Sequence, residues 1–227
     1  FTYINEGGAV IESATLAGAP TKTGTGGITV LTESDGSYFT PKFVDVPGLG
    51  QATATYRISA TTAGNVTLRT SASGIDANSG KAVEAANINS NQCVIQTAPN
   101  IAITLNNLPA ATVYLNQKNL TVTATITNNG QATAIINTAS ITCNIGKYEQ
   151  ELTSATLPFE LAGGASKTLT FTVSVAVDSP SGADTLRIQA DWYDKNWPES
   201  GIKTSQSGTR NWTISPIGII LSSDPDF

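Results

Sequence analysis

The chain has 227 residues, of which 40% are hydrophobic and only 13% are charged, and its net charge is −5. Nucleic acids and anionic membranes bind basic protein surfaces, whereas this chain is acidic. We therefore expect neither of them as a partner. The complete lack of histidine excludes histidine-based acid–base and metal chemistry. Abundant Thr and Ser, with 20 Gly and 10 Pro, favour an all-β protein, because β-branched side chains prefer strands.

Membrane insertion is not expected either. A spanning helix needs roughly 18 consecutive apolar residues, and the longest clean apolar run here is Ile217-Gly-Ile-Ile-Leu221. The sequence starts at Phe1, as in a processed or partial product. Low Lys, no Met and much Thr, Ser and Asn indicate a secreted protein, located outside the cell or at its surface.

The chain repeats itself. Residues 54–60 align with residues 169–175 as alternating apolar and polar strands, and residues 64–78 align with residues 182–196. The second alignment holds identical residues at Gly64, Thr67, Leu68, Arg69, Ala72, Asp76 and Asn78. We therefore predict two copies of one unit of about 115–120 residues.

In the second copy, alternating segments follow one another between Asn-Gly, Gly-Gly and Pro turns. We predict strands A, B, C, E, F and G over residues 101–105, 120–127, 139–145, 168–177, 185–193 and 209–214, with an irregular D region at 148–159. No helical period is present anywhere. Short strands separated by such turns are typical of an immunoglobulin-like antiparallel sandwich.

The predicted fold is therefore all-β, with two tandem immunoglobulin-like antiparallel β-sandwiches. The domains are expected at residues 1–98 and 99–215, with a C-terminal extension at 216–227. Central strands of a sandwich bury one face. The residues expected to point inward are Leu68, Val122, Val173, Leu186, Ile188 and Trp212.

The first copy lacks its beginning. Phe1-Thr-Tyr-Ile-Asn5 aligns with Ala124-Thr-Ile-Thr-Asn128, so Phe1 falls within strand B and the first sandwich has no strand A of its own. Conversely, Ile217, Ile219 and Leu221 repeat the alternation of strand A of the second copy. Either the chain is an arbitrary fragment of a longer multi-repeat surface protein, or each subunit lends its tail strand to a neighbour. In the second case the assembly residues are Phe1, Tyr3, Ile217, Ile219, Ile220 and Leu221.

Two segments of the second copy, residues 120–130 and 161–171, resemble the CARDB-type adhesion-related domains of prokaryotic surface proteins. Residues 70–80 are similar to the companion immunoglobulin-like repeats of such proteins. The resemblance implies an extracellular, non-catalytic role and brings no functional residues with it.

Candidate chemistry is sparse. Asp76 and Asn78, and Asp194 and Asn196, are oxygen ligands at alternate positions that suit Ca²⁺, but the same residues form ordinary turns, which we favour. The aromatic residues Trp192, Tyr193 and Trp197 are suited to stacking on a sugar ring or to filling the core, which we also favour. The tight carboxylate cluster, Asp191, Asp194 and Glu199, lies on one connection and does not make a cleft. We expect no metal, no cofactor and no enzymatic activity.

Two sets of modification sites remain. Asn65, Asn119 and Asn211 begin acceptor sequons for glycosylation. Cys93 and Cys143 are the only cysteines, and we predict a disulfide between them.

The function expected from the sequence is that of an extracellular structural or adhesive protein, the subunit of a head-to-tail homopolymer. The alternative is a carbohydrate-binding module that contacts surface glycans.

Overall fold

The computed structural model describes residues 1–216 and divides the chain into two compact units, Phe1–Gln96 and the residues from Thr97 onward. This division falls two residues before the boundary expected from the sequence. The described residues form β-strands joined by turns and loops, and the one helical piece among them is a 3₁₀ turn at Pro198–Ser200. The all-β prediction is confirmed. Within residues 1–216 no helix is long and apolar enough to cross a membrane.

The first unit contains twelve strands, most of them short. They are β1 (Thr2–Ile4), β2 (Ile11–Leu16), β3 (Thr21–Thr23), β4 (Gly27–Val30), β5 (Phe39–Thr40), β6 (Val44–Val46), β7 (Gln51–Thr53), β8 (Thr55–Tyr56), β9 (Ile58–Thr62), β10 (Gly64–Asp76), β11 (Ala82–Asn89) and β12 (Cys93–Ile95). The main sheet has the order β11-β10-β2-β6, and β3 and β12 also pair with β10. Three two-stranded ladders, β1-β7, β4-β9 and β5-β8, make up the rest.

The second unit is more regular. Its strands are β13 (Ile101–Asn107), β14 (Thr112–Tyr114), β15 (Leu120–Asn128), β16 (Ala134–Cys143), β17 (Tyr148–Leu152), β18 (Phe159–Leu161), β19 (Ser166–Val175), β20 (Gly182–Asp194), β21 (Lys203–Gln206) and β22 (Arg210–Ser215). One sheet has the order β13-β15-β19-β17, and the other has the order β14-β22-β20-β16-β18 with β21 beside β20. The alternation of apolar and polar residues places every second side chain of β15, β19 and β20 in the interior.

The two units differ sharply in their cores. In the second unit a single cluster of 22 buried apolar residues draws on both sheets, whereas the buried cluster of the first unit holds only Leu16, Phe39 and Ala54. Five of the six residues expected to point inward are buried, and all five belong to the second unit: Val122, Val173, Leu186, Ile188 and Trp212. The sixth, Leu68, is only half-buried. Leu68 lies on the same face of β10 as Val66 and Thr70, which are 2% and 4% exposed, so it points inward but is less completely covered.

Each unit nevertheless contains its own copy of the same hydrogen-bonded corner. Asn5 and Asn128 are both buried, and each side chain holds a turn by the same three bonds. The amide donates to a carbonyl four residues later and to a carbonyl of a facing strand, and the side-chain oxygen accepts from the N–H two residues later. These partners are Ala9, Val46 and Gly7 in the first unit, and Ala132, Leu161 and Gly130 in the second.

Close packing of the backbone at this corner requires glycine in both units. A β-carbon on Gly48 would overlap the carbonyl of Gly8, and one on Gly163 would overlap the carbonyl of Gln131. The corner therefore relates the first unit to the second residue by residue. It makes β1 the counterpart of the second half of β15, and β7 the counterpart of the start of β19.

Candidate functional site

The first unit contains an apolar groove of about 350 Å³. Strand β1 forms one side of it, and β10 and β11 form the other. Residues of β2 and β6 also line the groove. Its lining includes Tyr3, Leu16, Val46, Ala72, Val83 and Ala85. Such an opening exposes side chains that would otherwise form a core.

One edge of β1 also faces the groove without a strand partner. In β1, Tyr3 pairs with Ala52 of β7, and within residues 1–216 no other strand pairs with β1. Its counterpart β15 pairs with β19 on one side and with β13 on the other. An unpaired edge leaves backbone N–H and C=O groups without bonds, and a second strand satisfies them well.

Strand β13 shows what occupies this position in the second unit. Its residues Ile101, Ile103 and Leu105 are buried, and Ile103 lies opposite Ile126 of β15. On the other side the Ser205 hydroxyl of β21 donates to the Ile101 carbonyl at 2.9 Å. Strand β13 thus lies between β15 and β21. The groove of the first unit lies between the counterparts of these two strands, β1 and β11.

Two side chains that line the groove are smaller than their counterparts in the second unit. The sequence alignment places Gly74 at the position of Trp192, and the strand ladders place Ala85 at the position of Ser205. In the second unit the buried Trp192 indole donates to the Ser205 hydroxyl at 2.9 Å and helps to fill the space beside β13. Sequence reasoning missed Gly74, Val83 and Ala85 as lining residues. The Trp192-to-Gly74 difference in the repeat alignment was the signal that would have found Gly74.

Of the predicted assembly residues, Phe1 and Tyr3 lie in the groove wall. The Tyr3 hydroxyl is buried and has no hydrogen-bond partner in the part of the chain that the structure describes. Burial, with a smaller contribution from the nearby Tyr56, raises the pKa of Tyr3 to about 12. The phenol is therefore a neutral donor at any ordinary pH. Ile217, Ile219, Ile220 and Leu221 lie outside the described residues.

The second unit contains a polar cluster around Asp184 of β20, which the sequence did not reveal. This buried carboxylate accepts the backbone N–H groups of residues 144, 145 and 146 and the Tyr148 hydroxyl at 2.6 Å. Tyr148 in turn accepts from the Trp212 indole at 2.7 Å. Burial alone would raise the pKa of Asp184, but the bonds from Tyr148 and the backbone outweigh it and lower that pKa. These bonds join three strands and the turn after β16, so the cluster is structural.

The cysteines do not form the expected disulfide in the structure. Cys93 and Cys143 are free thiols on different units. The Cys143 thiol donates to the Gly146 carbonyl at 2.8 Å, and burial and the charge of Asp184 raise its pKa.

The candidate calcium loops are turns. The Asp76 carboxylate accepts from the backbone of Asn78 and Ser79, and the Asp194 carboxylate accepts from the backbone of Asn196. Residues 1–216 contain no group of three or more Cys, Asp or Glu side chains placed to hold a metal ion.

The aromatic and carboxylate cluster is dispersed across the sheet. Trp192 and Trp212 are buried in the core, whereas Trp197 is 62% exposed. Asp191 accepts from the hydroxyls of Thr138 and Thr204 on the neighbouring strands. Tyr193 is half-buried, so of the three predicted rings Trp197 alone is exposed and they do not form a platform of several open faces.

The three candidate glycan acceptors, Asn65, Asn119 and Asn211, are all exposed. Asn65 lies in β10, Asn119 directly precedes β15, and Asn211 lies in β22. Exposure makes these side chains accessible to a modifying enzyme. Their glycosylation stays a prediction.

Comparison with models of known protein families and with curated proteins finds no match for this chain. The resemblance to CARDB-type domains stays a prediction.

Proposed function

We propose that this chain is the subunit of an extracellular structural filament in which each copy completes its neighbour. In this proposal both units are immunoglobulin-like sandwiches, and the first lacks its strand A. Ser215 ends β22 of its own unit, and the tail that follows it, residues 216–223, fills the groove in the first unit of the next copy. The role is structural or adhesive, without catalysis.

The observation that carries the proposal is the position of the groove. It lies between β1 and β11, the counterparts of the two strands that flank β13 in the second unit. A strand in the groove would pair with the free edge of β1 and would cover apolar side chains, both of which are costly to leave exposed.

The tail sequence fits this position. Ile217-Gly-Ile-Ile-Leu221 repeats the apolar alternation of Ile101-Ala-Ile-Thr-Leu105 in β13. The β13 ladder predicts the register: Ile101, Ile103 and Leu105 face Asn128, Ile126 and Ala124. By the same pairing, Ile217, Ile219 and Leu221 would face Asn5, Tyr3 and Phe1. Each aliphatic side chain buried in this way contributes about 1.5–3 kcal/mol.

The contact is heterologous, because a tail meets a groove and not another tail. Contacts of this kind repeat without closing unless they form a ring, so they build fibres. Backbone pairing over several residues makes dissociation slow, as in other cases of strand addition. The secreted composition and the resemblance to surface domains support a location outside the cell.

The test compares the intact chain with two variants, one lacking residues 216–227 and one carrying Ile219→Asp. Negative-stain microscopy and light scattering should show fibres for the intact chain and monomers for both variants. Of the predicted assembly residues, Ile220 takes the position of the exposed Thr104 in this register, so its side chain would point away from the groove. Ile220→Asp is therefore the matched control and should keep assembly. Fibres from the truncated chain, or an intact chain that stays monomeric at high concentration, would contradict the proposal.

A further inference from the structure

We propose that an apolar tip of the first unit, formed by Ile4 and Leu49, packs against the second unit of the preceding copy in the filament. The contact lies beside the point at which the tail of that copy enters the groove. This inference rests on the proposed function and adds a second interface between the same two copies.

Leu49 is unusual in its backbone and in its exposure. It lies in the turn before β7 with a φ of 52°, and its side chain is 79% exposed. Its backbone N–H donates to the Gly7 carbonyl at 2.8 Å. In the second unit Gly164, with a φ of 73°, makes the equivalent bond to the Gly130 carbonyl. Glycine adopts this conformation without strain, whereas leucine rarely does, so a strained and exposed leucine here points to a function outside its own unit.

Ile4 extends the apolar tip. It pairs with Gln51, two residues after Leu49, and its side chain is 69% exposed. The sequence alignment places Thr127 at its position, and the Thr127 hydroxyl is hydrogen-bonded to the Ser166 hydroxyl at 2.8 Å. The same corner therefore carries a polar residue and a glycine in the second unit but two exposed apolar residues in the first. An exposed apolar surface that the fold itself does not need is suited to a partner.

The tail brings one particular surface to this tip. Strand β22 ends at Ser215, which still pairs with Tyr114 of β14. In the register proposed above, Ile217 faces Asn5 of the next copy, so Pro216 alone joins the two units. The two residue steps from Ser215 to Ile217 span at most about 7 Å. The end of the second unit at Ser215, here called the exit end, therefore adjoins the corner of the next copy that carries the apolar tip.

The exit end exposes apolar side chains of its own. Tyr114 is 48% exposed and Val177 is 72% exposed. Both lie at this end, because the Gln117 N–H donates to the Tyr114 carbonyl at 3.1 Å and the Gln117 carbonyl accepts from Val175, the last residue of β19, at 2.8 Å. Two apolar surfaces held this close together are stabilised by excluding water. Tyr114, the ladder partner of Ser215, is the residue we assign to the contact with Leu49.

The test measures subunit exchange between preformed filaments of the intact chain and of Leu49→Gly. The variant should exchange about tenfold faster, as expected for the loss of one buried aliphatic side chain. Urea unfolding of the same variant lacking residues 216–227 should show that its first unit remains folded, because glycine adopts this φ without strain. Phe43→Ser is the matched control and should not change the exchange rate. Phe43 is 57% exposed and precedes β6, whose other end is bonded to Asn5.

A double-variant cycle tests the partner. Tyr114→Ser should also accelerate exchange, and adding it to Leu49→Gly should accelerate exchange by less than the product of the two single effects, because both remove the same contact. Effects that multiply in full would overturn the assignment of Tyr114 as the partner.

The failures of the two proposals are distinguishable. Filaments in which Leu49→Gly leaves the exchange rate unchanged would overturn this inference alone. Filaments formed by the chain lacking residues 216–227, or an intact chain that stays monomeric, would contradict the proposed function and this inference with it.

Discussion

Asp184 is the most constrained polar residue of the second unit. Its carboxylate is 1% exposed and accepts four bonds from outside its own strand. A buried charge is costly unless it is compensated in this way. The cluster therefore fixes the turn after β16 to the core through Tyr148 and Trp212, and we expect its stability to depend on the charge of Asp184.

The pH dependence follows from the lowered pKa of Asp184. A carboxylate whose pKa is lower in the folded state than in the unfolded state stabilises the folded state. This contribution is complete above the unfolded pKa, here 3.8, and is lost as the pH falls through the folded pKa. Asp184→Asn should lower the free energy of unfolding by about 1–3 kcal/mol at pH 7, because the backbone N–H groups and the Tyr148 hydroxyl lose a charged acceptor. Urea unfolding at pH 7 and pH 2.5 should show a smaller difference from wild type at the lower pH. A difference that is independent of pH would contradict this account, and Asp178→Asn, at an exposed ion pair, is the control with little expected effect.

The two cysteines should differ in reactivity. The thiolate is the reactive form, and burial and Asp184 raise the pKa of Cys143, whose thiol also donates to Gly146. We expect a thiol reagent at pH 8 to modify Cys93 before Cys143 in the folded, unreduced protein, as measured by mass spectrometry of peptides. If neither cysteine of the unreduced, denatured protein reacted, the disulfide predicted from the sequence would be present.

At the scale of single elements, the two long strands β10 and β20 are counterparts of equal length in different surroundings. Leu186 of β20 is fully buried, whereas Leu68 of β10 is only half-buried. Leu186→Ala should cost about 2–5 kcal/mol because it leaves a cavity in a packed core. Leu68→Ala should lower the free energy of unfolding of the unassembled chain by clearly less than Leu186→Ala does. Chemical denaturation of the chain lacking residues 216–227 measures both, and equal costs would mean that the first unit is packed as tightly as the second.

The sequence predicted these elements unevenly, for physical reasons. Strict alternation located β13, β15, β19, β20 and β22 to within a few residues, because one face of each is buried. The short strands β14 and β21 were missed, and β17 and the start of β18 were placed only within an irregular region at 148–159, since three to five residues carry too little periodicity. The corner at Asn128 was seen only as a turn, because the bond that ties the turn to a facing strand goes to Leu161, 33 residues later. The same holds for Asp184, whose partners in residues 144–148 lie 36 to 40 residues earlier in the chain.

At the scale of the whole molecule, stability is concentrated in the second unit. Its 22-residue core contrasts with the three-residue core of the first unit, which also leaves an apolar groove open. Marginal cores unfold first, and a ligand that binds only the folded state raises stability by mass action. The proposed assembly would thus stabilise the weaker unit of each copy by means of its neighbour.

This coupling predicts the response of the chain lacking residues 216–227 to a synthetic peptide of residues 215–223. Without peptide, urea should unfold the chain in two transitions, with the first unit lost at the lower concentration and the Trp192 and Trp212 fluorescence of the second unit changing later. Peptide at 100 times its dissociation constant should stabilise the first transition by about 2.7 kcal/mol and leave the second unchanged. A peptide carrying Ile219→Asp is the control and should have no effect, because it would place a carboxylate in the apolar groove beside Tyr3. If both transitions shift, or if the control peptide works as well, the groove is not the binding site of the tail.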